Sequence, residues 1–281
     1  MIRLSAFADE IAPQLDEQIA TLEREQIHFV DLRSVDGTNV LDFTDQQIAE
    51  IKRTLDDHSI GVSAIASPIG KVPIDGSFDE HLHRFERAIT VARAFQTPCI
   101  RIFSFYPPAA SAEGGAAPVP SSYRDEVLRR LREMTARARA ASIILLHENE
   151  KDIYGDTIAR CRDLHESCAD EHLRAVLDPA NFIQCAQEPY PEAYEALHPW
   201  LSYIHVKDAL SDGHVVVAGE GAARWPELLR RLRADGYDGF LSLEPHLAYE
   251  GRFQGFSGVE LFGQASQALQ RLLHEMDWEY T

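Results

Sequence analysis

Eight short β-rich runs punctuate the chain, at 2–7, 28–32, 60–66, 99–103, 142–147, 173–178, 202–206 and 240–243. Longer stretches with apolar residues three to four apart separate them. Leu15, Ile19 and Leu22 mark the first, Ile48, Ile51 and Leu55 the second, and Phe85, Ile89, Ala92 and Phe95 the third. Val127, Leu128, Leu131 and Met134 follow, then Leu228, Leu229 and Leu232, and finally Leu269, Leu272 and Leu273. That spacing puts one apolar stripe on each helix, ready to pack on a sheet. Strands alternating with helices imply parallel pairing through crossover connections.

Ile143-Ile144-Leu145-Leu146 is apolar on both faces, which suits a sheet covered on both sides. Closing eight parallel strands into a ring is the economical arrangement, and an open doubly wound sheet is its rival. The 281 residues match one α/β barrel of about 250 residues. The expectation is therefore an α/β fold, a (β/α)8 TIM barrel forming a single domain over 1–281. Local signals agree. Thr44 and Gln47 have the spacing of a capping box, Asp156 or Thr157 is placed to cap the fifth helix, and Pro226 stands near a helix start. The stretch 106–122 carries Pro107, Pro108, Pro118 and Pro120 with Gly114 and Gly115. It reads as a mobile loop after strand four, either a lid or a surface insertion.

The formal charge of −18, from 27 basic and 45 acidic residues, repels phosphate backbones and anionic bilayers. Neither nucleic acid nor membrane is expected as a partner. No apolar run reaches the roughly 18–20 residues of a bilayer span, and no secretory leader is read at the start, so a cytoplasmic location is expected. Cys99, Cys161, Cys168 and Cys185 form no C-x-x-C pair and read as reduced, mostly buried thiols.

The chemistry gathers at four consecutive strand ends. Strand five ends in His147-Glu148-Asn149-Glu150, strand six in Leu177-Asp178-Pro179-Ala180-Asn181, strand seven in Ile204-His205-Val206-Lys207-Asp208, and strand eight in Leu243-Glu244-Pro245-His246. In a barrel of this kind the C-terminal strand ends converge on the mouth. Three carboxylates and one imidazole meeting there without a counter-charge would be costly. A divalent cation held by Glu148, Asp178, His205 and Glu244 removes the conflict. Oxygen ligands with one histidine suit Mn²⁺ first, with Mg²⁺, Co²⁺ or Zn²⁺ as alternatives. Taken singly, each residue has a plainer reading. An acidic residue after a strand is usually a helix cap, and His205 between Ile204 and Val206 could be a core histidine.

The same set, together with Ser202-Tyr203-Ile204-His205-Val206-Lys207-Asp208, resembles the xylose isomerase-like barrel superfamily, and within it the sugar phosphate isomerase/epimerase branch. The resemblance runs from Phe7-Ala8-Asp9-Glu10 to Glu244-Pro245-His246. It implies one catalytic metal and a small carbohydrate substrate. It further implies proton abstraction beside a metal-bound carbonyl, through an enediolate, with Glu148 and Glu244 as the acid–base pair. Homo-oligomers are common in that superfamily. Two positions depart from the ketohexose epimerases: Asn181 and Ser211 stand where those carry histidine and arginine. Lys207 and Asp208 look more like the inositol-catabolism members, which include dehydratases. A lyase acting on a keto-inositol or a 3-keto-glycoside is therefore the alternative, and a sugar-binding barrel without catalysis is the third reading.

Lys207, Glu150, Asn181, His246, Lys71 and Arg101 are the candidate substrate-binding residues. Their plainer readings are an ion pair of Lys207 with Asp208, a solvated Glu150 and His246, a surface Lys71, and an Arg101 paired to a carboxylate. Gly219-Glu220-Gly221 lacks the dinucleotide pattern and is read as shaping the loop after strand seven.

Overall fold

The computed structural model describes residues 1–108, 118–248 and 257–281. Its strands are β1 (Arg3–Ala6), β2 (Phe29–Leu32), β3 (Gly61–Ile65), β4 (Cys99–Ile102), β5 (Ile144–Glu148), β6 (Leu173–Leu177), β7 (Leu201–Val206) and β8 (Phe240–Leu243). Each pairs in parallel with the next, and β8 returns to β1 in the register Arg3↔Phe240 to Ala6↔Leu243, so the barrel is closed. The open-sheet alternative is thereby excluded.

Six helices carry the predicted faces: α1 (Leu15–Arg24), α2 (Asp45–Asp57), α3 (Phe78–Ala94), α4 (Arg124–Ala140), α8 (Trp225–Ala234) and α9 (Val259–Glu275). Between α4 and α8 lie α5 (Ile158–Cys168) and the short α6 (Pro179–Gln184) and α7 (Tyr194–Leu197), for which no apolar face is predicted. In α2, Ile48, Ile51 and Leu55 are the buried positions, one stripe facing inward. Both halves of its capping box form: the Gln47 N–H donates to Thr44 Oγ1 at 3.2 Å and the Thr44 N–H to Gln47 Oε1 at 2.9 Å. Thr157, not Asp156, caps α5, and Pro226 lies in the first turn of α8.

Strand alternation sorts side chains between the helix layer and the barrel interior. Ala64, Leu146, Val176, Tyr203 and Phe240 form an apolar cluster of their own within the barrel. Beside it runs a polar band. The Tyr203 hydroxyl donates to Asp31 Oδ2 at 2.8 Å, Ser242 donates to the same oxygen, and Ser5 and Ser63 share a hydrogen bond at 2.6 Å. Burial pushes the Asp31 carboxyl above its usual range.

Past β7 the loop closes on Asp208, whose carboxylate accepts the backbone N–H groups of Ala209, Gly219, Gly221 and Ala223 at 2.8–3.1 Å. Gly221 is required there: a Cβ would come within 2.2 Å of Asp208 Oδ1. The two glycines do shape this loop. Asp208 is not the partner of Lys207, a reading the geometry corrects.

Residues 109–117 of the 106–122 stretch lie outside the described residues. Its start is anchored, because Tyr106 exchanges backbone hydrogen bonds with Val72 and Ile74 at 3.0 Å. Its end forms a short 3-10 turn, Pro120–Ser122, leading into α4. The four cysteines are free, with Cys161 buried and the other three half-buried, fewer buried than their composition suggested. Among the described residues no helix is long and apolar enough to cross a membrane.

Candidate metal centre

Glu148 is the last residue of β5, so its interior-facing side chain emerges at the mouth. Asp178 follows β6 and caps α6: Oδ1 accepts the Asn181 N–H at 2.9 Å. The plain helix-cap reading is therefore correct for one oxygen, while Oδ2 is left for the site. His205 sits within β7, its ring held edge-on to Phe7 at 5.0 Å and to Tyr203 at 5.8 Å. Glu244 is the first residue past β8, tied back by its N–H to Val206 at 3.3 Å.

One donor atom from each of the four lies within 4.8 Å of the others. His205 Nδ1 is 3.2 Å from Glu148 Oε1 and 3.6 Å from Glu244 Oε2. All four residues are buried. His205 Nδ1 and Asp178 Oδ2 are fully buried and make no hydrogen bond of good geometry, the first lying near Glu148 and Glu244 and the second near Lys207. Polar atoms this deep with poorly aligned contacts are costly unless something binds them. Three carboxylates and an imidazole are the donor set of a divalent ion, so the residues fit the metal that the sequence predicts.

Cationic side chains surround the same carboxylates. Arg101 Nη1 donates to Glu148 Oε2 at 3.1 Å and lies 3.6 Å from Glu244 Oε1, so one guanidinium spans both glutamates. Lys207 Nζ is 2.8 Å from Asp178 Oδ2 and 3.3 Å from Glu244 Oε2. Asn181 Nδ2 donates to Glu148 Oε1 at 3.2 Å and to the Asn149 carbonyl at 2.9 Å. Burial by itself would raise the Glu148 carboxyl, but His205 and then Arg101 outweigh burial and Glu244, holding it at about 2. Glu244 is also held well below its usual range, Lys207 and His246 overcoming its burial. For Asp178 burial wins against Lys207, and its carboxyl rises to about 6. His205 is raised, because Glu148 outweighs the desolvation of the ring.

Of the predicted substrate-binding residues, Arg101, Lys207 and Asn181 are buried against the ligand set. Lys71, Glu150 and His246 are the more exposed ones. Lys71 Nζ pairs with Glu150 Oε2 at 2.7 Å and lies 4.3 Å above the Phe103 ring. His246 Nε2 approaches Glu10 Oε1 at 2.9 Å and Glu244 Oε1 at 3.6 Å.

Three residues not singled out as site residues from the sequence complete the mouth. Arg33, just past β2, donates from Nε to Asp9 at 2.8 Å and from Nη1 to Glu244 Oε1 at 3.2 Å, and its Nη2 is 3.6 Å from Glu10. Asp9 and Glu10 come from the 3-10 turn Ala8–Glu10. Arg33 was discoverable: the alternation that carries Ser242 to Glu244 also carries Asp31 to Arg33.

The xylose isomerase-like TIM barrel family profile matches residues 25–272, and the chain belongs to that family. A comparison with curated protein sequences gives no match. Solved structures share the fold at low identity. A probable 3-DHS dehydratase involved in petrobactin synthesis, from Bacillus anthracis, is 16% identical with a TM-score of 0.74, covering 96% of this chain and 99% of its own. A 3-keto-D-glucoside 4-epimerase from E. coli, in its apo form, is 16% identical with a TM-score of 0.72, covering 98% and 100%. A xylose isomerase-like TIM barrel protein from Mycobacterium smegmatis, in complex with magnesium, is 16% identical with a TM-score of 0.72, covering 98% and 96%.

Proposed function

We propose that this protein is a divalent-metal-dependent isomerase or epimerase of a keto-sugar or sugar phosphate. Glu148, Asp178, His205 and Glu244 would hold one ion, Mn²⁺ first among the candidates. Bound there, the ion supplies Lewis acidity that favours negative charge on a substrate carbonyl oxygen.

The observation that carries the reading is the placing of Glu148 and Glu244. They come from β5 and from the end of β8, they approach the same His205 nitrogen, and Arg101 spans them. Both are held ionised, so either can accept a proton from a carbon beside a ketone. The acid so formed can return its proton to the neighbouring carbon, while the other glutamate, after taking a proton from solvent water, can deliver one to the opposite face of the first carbon. Arg101, Lys207 and Asn181 fix where the carboxylates point, which restricts the geometry of transfer. Lys71, Glu150 and His246 stand further out, where they would meet sugar hydroxyls or a phosphate. Solved structures that share the fold include a 3-keto-D-glucoside 4-epimerase and a probable dehydratase, and both chemistries start with the same proton abstraction.

The test is proton NMR in D₂O. Mg²⁺-loaded protein is incubated with ketohexoses, their phosphates, keto-inositols and 3-keto-glucosides. Deuterium entering beside the ketone, with the carbon skeleton and its substituents intact, is the expected outcome. Loss of water or of an aglycone would replace the isomerase reading by a lyase. Absence of exchange from every substrate would remove the catalytic claim for this panel and leave ion binding alone.

A further inference from the structure

A second group of donor atoms stands beside the first. Glu10 is completely buried. Its Oε2 accepts the His246 N–H at 2.8 Å and the Ser257 hydroxyl at 3.0 Å. Its Oε1 accepts no hydrogen bond. Yet Oε1 lies 2.9 Å from His246 Nε2, an approach that lacks the line of an N–H···O bond. Two ligands at right angles on one ion, each bonded at roughly 2.1 Å, are about 3 Å apart. The Glu10–His246 spacing is of that kind, and it repeats the 3.2 Å between His205 Nδ1 and Glu148 Oε1 in the four-residue set.

Glu244 has one oxygen for each group. Oε2 faces His205 and Lys207, while Oε1 faces His246, Arg33 and Arg101. Glu10, Glu244 and His246 offer donors within 4.8 Å of one another. His246 is held for this role at a backbone cost. Its φ is +45°, in the left-handed region that a residue with a Cβ seldom adopts, and its N–H is fastened there by Glu10. The local charge also favours a cation. Asp9, Glu10 and Glu244 together face Arg33, with Arg101 shared between Glu244 and Glu148, and Asp9 Oδ1 is a further buried oxygen without a hydrogen-bond partner.

We propose that a second divalent cation binds between Glu10, His246 and Glu244, with Glu244 bridging it to the ion of the four-residue set. The mixed oxygen and imidazole donors suit a transition-series or zinc ion such as Mn²⁺ or Zn²⁺ better than Ca²⁺, which takes oxygen ligands. The inference rests on the reading of Glu148, Asp178, His205 and Glu244 as an ion site.

Binding stoichiometry tests it without any substrate. The full-length chain, stripped of metal, is titrated with Mn²⁺, and free and bound ion are followed by electron paramagnetic resonance. Two ions per chain are expected, with a spin-coupled signal as the second site fills. Glu10→Gln and His246→Ala should each weaken the second ion at least about tenfold and remove the coupled signal, leaving one ion. Asp178→Asn should weaken the first. The half-exposed His246→Ala variant decides the matter if Glu10→Gln does not fold. One ion in the wild type, lost in Asp178→Asn, would overturn the second site and keep the first. No ion at all would overturn both. Two ions in the wild type and still two in both Glu10→Gln and His246→Ala would place the second elsewhere and overturn the assignment.

Discussion

The two halves of the barrel mouth use the same residue types but hold them differently. In the half built from β5 to β8, the charged residues sit at the strand ends, and Arg101 from β4 and Lys207 from just past β7 pair with them. In the half built from β1 and β2, the carboxylates Asp9 and Glu10 lie on a turn, and Arg33 crosses to Glu244 at 3.2 Å. The first half is fixed by strand register, the second by side chains that meet after the barrel closes. Glu244 belongs to both, and it is where the two halves can be separated by experiment.

The largest effect should come from the shared chemistry. Glu148→Gln and Glu244→Gln should each lower kcat by about 10²–10⁴-fold, the contribution of a positioned acid or base. Thermal unfolding of the metal-free variants should move below wild type, because each substitution leaves neighbouring cations, Arg101 for both and Arg33 and Lys207 for Glu244, with less compensating charge. If the two variants lose activity equally while the ion stays bound, both glutamates act in the proton transfer. A Glu244 variant with near-normal turnover would confine the chemistry to the β5 side and remove the symmetry of the proposed pair.

Next in size is the tie between the halves. Arg33→Met keeps the aliphatic stem but removes the contacts to Asp9, Glu10 and Glu244. Supporting residues of a metal site typically contribute about 10–100-fold. The expected result is a fall of that size in kcat/KM with the four-residue ion still bound. An unchanged kcat/KM would show that the β1–β2 half is scaffold only.

These two tests follow the line between what the sequence showed and what it hid. The barrel was readable because two periods, 2 for strands and 3.6 for helices, alternate along the chain. The four ligand candidates were readable because strand ends in such a barrel share one rim. Asp178 shows how a single residue supports two readings, one oxygen capping α6 and the other facing the site. Adjacency favours pairing Lys207 with Asp208, but successive residues leave a strand on opposite sides, and Lys207 turns to Asp178 and Glu244. Glu10 had no comparable signal. Its aim depends on His246, 236 residues further along, and no local pattern encodes that meeting.

The β5 side also carries a liability that the other half lacks. Behind β5, His147 and His165 pack edge to face at 5.9 Å, and His165 stacks on Trp200. Burial lowers His165 to about 3, with His147 and Arg174 adding to the effect. The neutral ring is favoured in the folded chain, while the unfolded chain protonates near 6.5. His165 therefore costs no stability above about pH 6.5, and stability is lost as the pH falls from there towards 3, by about 1.4 kcal/mol for each unit of separation. Urea unfolding at pH 7 and pH 4.5 should show a smaller acid loss in His165→Phe than in the wild type. Equal losses would assign the acid sensitivity to other groups.

The smallest effect belongs to the rim. Lys71 and Glu150 pair at 2.7 Å with roughly a third and a fifth of their side chains exposed, and such pairs contribute only about 0–1 kcal/mol to stability. Lys71→Ala should leave unfolding nearly unchanged and ion binding intact. Its effect should appear in KM, because a group that touches substrate and transition state alike changes binding and not kcat. A severalfold rise in KM for sugar phosphates, with none for the matching unphosphorylated sugars, would make Lys71 a phosphate contact and narrow the substrate class. A rise of the same size for both would make it a hydroxyl contact. A change in kcat with KM constant would move Lys71 out of the rim and into the chemistry, against its 4.3 Å seat over Phe103 and its pairing with Glu150.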